Sequence, residues 1–155
     1  MTFDSKHLLD VTAWKLLTLL QEDARHSYSH LGRCVGLSAP AVAERVHRLE
    51  EAGIITGYHA IINPAKIGLA ITAVMRLSGV KERTAQLSAL VMATPEVLEC
   101  HRLTGNDSYV MRVVASSISH LEHLIDIFIP YGEVTTSLVL SSPVVGRVFQ
   151  ESYDY

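Results

Sequence analysis

The sequence has few of the features that mark secreted, membrane-spanning or disulfide-stabilised proteins. Its 155 residues include two cysteines, Cys34 and Cys100, which are far apart and form no CxxC pair. This usage is typical of a reduced, cytoplasmic protein. No apolar run approaches the roughly 20 residues that span a bilayer. The first ten residues lack a basic start followed by an apolar core, so we expect neither a membrane segment nor a secretory signal.

Charge is also scarce, and its distribution matters more than its total. The chain is 48% hydrophobic and 19% charged, which excludes a disordered protein, and its length allows one large domain or two small ones. The formal net charge of −3 argues against bulk electrostatic coating of DNA. Between Ala24 and Arg48, however, the only acid is Glu44. The basic residues and histidines there are Arg25, Arg33, Arg45, Arg48, His26, His30 and His47. Phosphate attraction acts over about 8–10 Å, so this local excess can serve nucleic-acid binding.

Residues 37–58 predict a surface helix followed by a hairpin. Ser38 is a good N-cap, and Pro40 fits the first turn, where its missing N–H loses no helical bond. One buried stripe at helical spacing is formed by Val42, Val46 and Leu49. Gly53 ends the helix, and Ile54–Ile62 resembles two short strands turning near Gly57, which would form a wing.

The exposed side of this helix is suited to a DNA major groove. Arg45 and Arg48 lie one turn apart, with the small residue Ala41 a turn earlier. Arginine can bridge guanine O6 and N7, and small residues at a helix start permit close approach. The alternative is an ordinary solvated face, with salt bridges to Glu44 or Glu51. We favour DNA contact, and the candidate residues are Ser38, Ala39, Pro40, Ala41, Arg45, His47 and Arg48.

Two more helices are predicted before this one. Asp10 can cap the first, which is apolar over a wide arc, and Ser27 or Ser29 can open a short second helix that Gly36 ends. Three helices with a tight turn between the last two match the helix-turn-helix unit. We therefore predict a winged helix-turn-helix domain at 1–60 and a linker at 61–67, where Asn63-Pro64 breaks the pattern.

The second half predicts a ferredoxin-like domain at 68–155. Apolar and β-branched runs alternate with helical patterns in the order β-α-β-β-α-β. The predicted elements are strand Leu69–Ser78, helix Glu82–Thr94, strands Val97–Thr104 and Tyr109–Ala115, helix Ile118–Ile129 and strand Glu133–Ser141. The fold class is α+β. Helices cover one sheet face, and we expect alternating apolar residues on the other face to pair with a second copy of the chain.

No constellation for catalysis or metal binding emerges. His120 and His123 are three residues apart on a predicted helix, but no third ligand has suitable spacing, so a solvated face is the better interpretation. There is no nucleophile–base pair, phosphate-binding glycine loop or dinucleotide motif. We expect no enzyme activity, no cofactor and no metal site.

Taken in order, several short motifs give a stronger signal than any one of them alone. They are Leu9-Asp10, Leu16-Leu17, Gln21-Glu22-Asp23-Ala24-Arg25, Val35-Gly36-Leu37-Ser38, Arg45-Val46-x-Arg48-Leu49-Glu50-x-x-Gly53-Ile54-Ile55-x-Gly57-Tyr58, Pro95-Glu96-Val97 and Thr104-Gly105-x-Asp107-x-Tyr109. From Leu9 to Leu140, the chain resembles the Lrp/AsnC family of bacterial and archaeal transcriptional regulators. The resemblance implies a homodimer that assembles further into a tetramer or octamer.

The resemblance also implies an amino-acid effector bound between dimers. Transferred to this chain, that site uses Gly105, Asn106 and Asp107, with Thr135 and Thr136 as polar neighbours. The plain alternative is that Gly105-Asn106-Asp107-Ser108 is only a β-turn. We predict a sequence-specific DNA-binding regulator that responds to an amino acid or similar metabolite. The alternative is an architectural DNA-wrapping protein without an effector.

Overall fold

The computed structural model describes residues 7–80 and 83–151, and contacts divide the chain into two units. One unit holds the described residues up to Ala60 together with those from Val144 onward, and the other spans Ile61–Pro143. Contacts thus group the segment from Val144 with the first unit. Two hydrogen bonds tie it to the first unit: the Phe149 N–H donates to Gln21 Oε1 (2.9 Å), and Gln21 Nε2 donates to the Phe149 carbonyl (3.2 Å).

The first unit contains three helices: α1 (Val11–Glu22), α2 (Tyr28–Val35) and α3 (Ala39–Glu51). Each begins after a side-chain N-cap that the sequence predicted, namely Asp10, Ser27 rather than Ser29, and Ser38. The turn between α2 and α3 is tight because Gly36 adopts a left-handed conformation (φ 74°), which a residue with a Cβ adopts at a cost. The predicted helix-turn-helix is confirmed.

Apolar packing fixes α3 against α1 and α2. The predicted stripe of Val42, Val46 and Leu49 is buried. Val42 and Val46 share a cluster with Leu16, Leu20 and Leu31, and Leu49 packs with Ala13 and Leu17. Burying a valine or leucine side chain contributes roughly 1.5–3 kcal/mol. The buried stripe therefore holds α3 in place and leaves its opposite side in solvent.

The predicted wing is wrong. Residues 54–62 form no strand: α3 ends in a turn at Gly53, and the chain then continues without regular structure. The apolar residues that produced the β pattern have different environments, since Ile54 and Ile55 pack on the helices whereas Ile61 is 93% exposed. No common apolar face remains to hold a hairpin. The predicted linker contains a short 3-10 turn, Pro64–Ile67, opened by Asn63.

The second unit has the predicted β-α-β-β-α-β order, and the α+β fold class is confirmed. Its elements are β1 (Ile71–Ser78), α4 (Thr84–Ala93), β2 (Val97–Arg102), β3 (Asp107–Ala115), α5 (Ile118–Phe128) and β4 (Glu133–Leu138). The four strands form one antiparallel sheet in the order β2-β3-β1-β4. The core lies on one side of the sheet and is formed mainly by Met75, Leu77, Leu87, Met111, Leu124 and Phe128.

The other face of the sheet is mixed rather than apolar, which corrects the expectation of alternating apolar residues. Val74 opposes Arg112 and Arg76 opposes Val110 in the β1–β3 register. Arg112 Nη2 also binds Glu99 Oε1 at 2.6 Å, and Arg112 lowers the pKa of Glu99 through this bond. Charged side chains therefore interrupt the valines. Pairing with a second copy remains a prediction.

Candidate DNA-binding and effector sites

The start of α3 is open to solvent, as a recognition helix requires. Ser38 Oγ accepts the Ala41 N–H bond at 3.4 Å and so caps the helix. Ser38 and Pro40 are exposed, while Ala39 and Ala41 are half-buried. These four predicted residues form a small, low-relief surface, which is the shape that allows a helix end to approach base pairs closely.

Arg45 is held by an acid on a different helix. Arg45 Nη1 lies 2.8 Å from Asp10 Oδ2 and 3.1 Å from Asp10 Oδ1, and its side chain is 39% exposed. The same Asp10 carboxylate accepts the Ala13 N–H bond at 2.7 Å. The bond from Ala13 and then the bond from Arg45 lower the pKa of Asp10. The sequence alone does not indicate Asp10 as a partner of Arg45, because the two residues are 35 positions apart.

Arg48 is held by an acid on its own helix. Its Nε lies 2.9 Å from Glu44 Oε1, and both side chains are 59% exposed. This i,i+4 pair is one of the salt bridges considered as the alternative to DNA contact. An exposed pair of this kind contributes only about 0.3–0.5 kcal/mol, so it does not prevent the guanidinium from contacting DNA.

His47 on α3 and Tyr58 after the helix both contact acidic side chains near the C-terminal end of α3. His47 Nε2 lies 3.2 Å from Glu51 Oε1, and its Nδ1 lies 3.9 Å from Glu50 Oε2. The Tyr58 hydroxyl donates to Glu50 Oε1 at 2.9 Å and so ties the segment after α3 back to the helix. Partial burial and then the Glu50 carboxylate raise the pKa of Tyr58 to about 12.

The turn predicted to receive an effector joins β2 to β3. The Leu103 N–H donates to the Ser108 carbonyl at 2.9 Å, and Gly105 has a left-handed conformation with φ 101°. Asp107 is half-buried and is the first residue of β3 rather than part of the turn. Pairing with β1 shifts by a residue here, because Leu77 opposes Tyr109 and Ser78 opposes Asp107.

The two predicted threonines do not join this turn within one copy of the chain. Both lie on β4, and β1 separates β4 from β3. Two strand spacings amount to about 10 Å, which is too far for one small amino acid to contact both strands directly. Thr135 and Thr136 also point to opposite sheet faces. Within the described part of the chain, Thr136 Oγ1 is buried without a hydrogen-bond partner.

A cleft that the sequence analysis missed lies between α4 and the β2–β3 hairpin. Its volume is about 450 Å³, within the range of small-molecule sites. The lining is mainly apolar but includes Arg102, Cys100 and Tyr109. Burial raises the pKa of the Cys100 thiol. Alternation along β2 could have indicated that Cys100 and Arg102 share a face, but the sequence alone does not show the opening beside α4.

The histidine pair on α5 has a structural explanation. His120 Nε2 lies 3.3 Å from Glu96 Oε1, and His120 Nδ1 lies 3.1 Å from Ser116 Oγ. His123 is exposed. Among residues 7–80 and 83–151, no group of three histidine, cysteine or acidic side chains could hold a metal ion. No helix in the described ranges is both long and apolar enough to cross a membrane.

Two family models match the chain, one in its N-terminal part and one in its C-terminal part. The AsnC-type helix-turn-helix domain matches residues 9–50, which include α1, α2 and most of α3. The Lrp/AsnC ligand binding domain matches residues 70–149, which include the whole sheet.

Individual proteins show the same similarity over most of their length. The chain is 40% identical over 134 residues to the HTH-type transcriptional regulator YezC of Bacillus subtilis, covering 86% of this chain and 95% of that protein. The structure of LrpC from B. subtilis matches with a TM-score of 0.83 at 28% identity, covering 86% of this chain and 96% of that one. A Neisseria meningitidis transcriptional regulator in complex with L-methionine matches with a TM-score of 0.84 at 29% identity, covering 91% and 96%.

Proposed function

Because the chain belongs to the Lrp/AsnC family of transcriptional regulators, we propose that it binds specific DNA sequences in the cytoplasm and responds to an amino acid or similar small metabolite. The family match gives it a helix-turn-helix domain and a ligand-binding domain. Effector binding would change either its DNA occupancy or its assembly. Such a change requires different effector affinities in the two states.

The DNA-binding proposal is based on the difference between the two sides of α3, one buried and one exposed. Its valine and leucine stripe is buried, while the Arg45 and Arg48 side chains are 39% and 59% exposed. The buried stripe fixes the helix, and the guanidinium groups remain accessible to phosphate or to guanine. A good arginine–guanine pair discriminates by roughly 1–3 kcal/mol. Ser38, Ala39, Pro40 and Ala41 would permit close approach, and His47 would contact the DNA backbone.

We further propose that DNA is bound by a homodimer, which assembles into a tetramer or octamer. A two-fold dimer presents two recognition helices to half-sites about 34–36 Å apart, or to multiples of that spacing. The mixed sheet face supports this pairing in part, since Val74 and Val110 lie there beside charges that a partner could neutralise.

For the effector, the region around the β2–β3 turn is the strongest candidate. Asp107 supplies a carboxylate that could bind an α-ammonium group, and the amides at Gly105 and Asn106 could receive a carboxylate. Arg102 lines the adjacent cleft and could serve as a second carboxylate partner. The L-methionine complex of the Neisseria meningitidis relative supports an amino-acid ligand. Because Thr135 and Thr136 lie two strands away, any part they have in the site would come from another copy of the chain.

Selection of DNA from a randomised duplex pool tests the proposal. The affinity for the selected duplex is then compared with that for a random duplex across a salt series. We expect a ratio of at least about 10³. A ratio near one with strong salt-dependent binding would instead support the architectural DNA-wrapping protein. Absence of binding to either duplex would refute both.

A panel of amino acids tests the effector. Thermal unfolding measures binding, and light scattering on the same samples measures assembly. We expect a subset of the amino acids to raise the melting temperature and to change either the particle mass or the DNA affinity. A panel without any such shift would contradict the effector proposal and leave the DNA-binding proposal standing.

A further inference from the structure

The two arginines of α3 contact carboxylates through different nitrogens. Arg45 uses a terminal nitrogen: Nη1 contacts both oxygens of Asp10 at 2.8 and 3.1 Å. Asp10 is itself fixed, because its Oδ1 caps α1 through the Ala13 N–H bond. One terminal nitrogen of Arg45 is therefore engaged, and the guanidinium is drawn towards the start of α1.

Arg48 uses its inner nitrogen instead. Its Nε donates to Glu44 Oε1 at 2.9 Å. Within residues 7–80 and 83–151, its two terminal nitrogens have no hydrogen-bond partner, and the side chain is 59% exposed. A guanidinium held through Nε keeps Nη1 and Nη2 side by side and open. Those are the two donors that an end-on pair with guanine O6 and N7 requires.

Glu44 also lies on the outer side of α3. Taking the buried stripe of Val42, Val46 and Leu49 as the inner side, residue 44 is nearly opposite to it at 100° per residue. A carboxylate there repels DNA phosphates in any sequence. The repulsion therefore weakens binding to every duplex alike, whereas the orientation of Arg48 increases discrimination between sequences.

We propose that Arg48 is the arginine of α3 that reads a base and that Glu44 positions its side chain. Arg45, which Asp10 anchors, lies instead beside the phosphate backbone of the DNA. This inference rests on the DNA-binding role proposed above. It predicts that Glu44 changes specificity without changing the fold, since an exposed i,i+4 pair contributes little to stability.

The test measures the affinity of the full-length protein for two duplexes by fluorescence anisotropy. One duplex is selected from a randomised pool by the wild-type protein, and the other has a scrambled sequence. We expect Glu44→Ala to bind the selected duplex about 10-fold more weakly and the scrambled duplex at least as tightly as wild type. Glu22→Ala is the matched control, because it removes the same charge from an exposed position on α1 that, within the described residues, pairs with no arginine or histidine, and it should retain the affinity for the selected duplex.

Two further comparisons separate positioning from direct contact. Glu44→Gln keeps an acceptor oxygen for Arg48 Nε and should recover most of the specificity. In an Arg48→Ala background, Glu44→Ala should cause no further loss on the selected duplex, because its effect acts through Arg48. Replacing the contacted guanine by 7-deazaguanine should weaken the wild type but leave Arg48→Ala unchanged.

Several results would overturn the inference. Equal losses by Glu44→Ala on both duplexes would indicate a structural role, and equal gains would indicate simple repulsion. A loss that persists in the Arg48→Ala background would make Glu44 an independent contact. If Arg48→Ala loses specificity while Glu44→Ala does not, this inference fails and the proposed function stands. If neither arginine affects DNA binding, the placement of the DNA interface on α3 fails as well.

Discussion

Asp10 connects the start of α1 to the middle of α3 through Arg45. Its Oδ1 accepts the Ala13 N–H bond at 2.7 Å, and its Oδ2 lies 2.8 Å from Arg45 Nη1. One carboxylate thus caps a helix and restrains a cation of the proposed DNA-binding surface. The two roles can be separated by substitution, because asparagine caps a helix about as well as aspartate but carries no charge.

Asp10→Ala should destabilise the protein more than Asp10→Asn. Loss of an N-cap costs about 1 kcal/mol, whereas loss of an exposed ion pair costs between about zero and 1 kcal/mol. Urea unfolding of the two variants and the wild type measures the free energy contributed by the N-cap and that contributed by the ion pair. Equal stability of Asp10→Ala and wild type would show that Asp10 does not contribute as a cap.

The helix starts were predictable because capping is local. Asp10, Ser27 and Ser38 each bond to an N–H three residues ahead, and such short-range patterns are visible in one sequence. The strand and helix order of the second unit was predictable for the same reason. The wing was not predictable in this way. Isoleucine is typical of strands, but Ile54 and Ile55 pack against the helices instead. That choice depends on tertiary packing.

Tyr58 should make stability depend on pH in the alkaline range. Its pKa in the folded protein is about 12, against an ordinary value of 10.0, so the folded state favours the protonated phenol. The contribution is complete below pH 10 and is lost as the pH rises towards 12. We expect Tyr58→Phe to lose less stability than wild type between those values, in unfolding curves followed by circular dichroism. Parallel losses would show that the Tyr58–Glu50 bond has no thermodynamic effect.

Gly32→Ala should destabilise the helix-turn-helix, although alanine is normally the better helix former. A Cβ at position 32 would collide with the carbonyl oxygen of Leu37, whose N–H donates to Gly32 O at 2.9 Å. We expect a loss of roughly 1–3 kcal/mol. Arg33→Ala, on an exposed position of the same helix, is the control and should stay within about 0.5 kcal/mol of wild type. A stabilised Gly32→Ala variant would mean that the α2–α3 turn can relax.

The candidate sites were only partly predictable. The arginines of α3 could be located from helical spacing. The same spacing also indicated the alternative salt bridge between Arg48 and Glu44, which lies four residues before it. The partner of Arg45 could not, since Asp10 meets it only after three helices have packed. Likewise, Thr135 could be assigned to a strand from the sequence and Asp107 was expected in the turn before β3, but the strand order that separates them depends on long-range pairing.

Asp107→Ala should raise the concentration of amino-acid effector needed for the response by about tenfold. This is the effect of losing one charge-assisted hydrogen bond. Thermal-shift titration with the amino acids that stabilise the wild type measures this effect. Asp126→Ala removes the same charge from an exposed position on α5 and should titrate as wild type. Identical curves for wild type and Asp107→Ala would remove Asp107 from the site.

The most direct test of the DNA-binding account is the affinity of the double variant Arg45→Ala/Arg48→Ala for the selected duplex, with light scattering on the same sample. We predict an affinity loss of about 100-fold or more and an unchanged particle mass. Wild-type affinity in the double variant would contradict the account, because it would place the DNA interface away from α3.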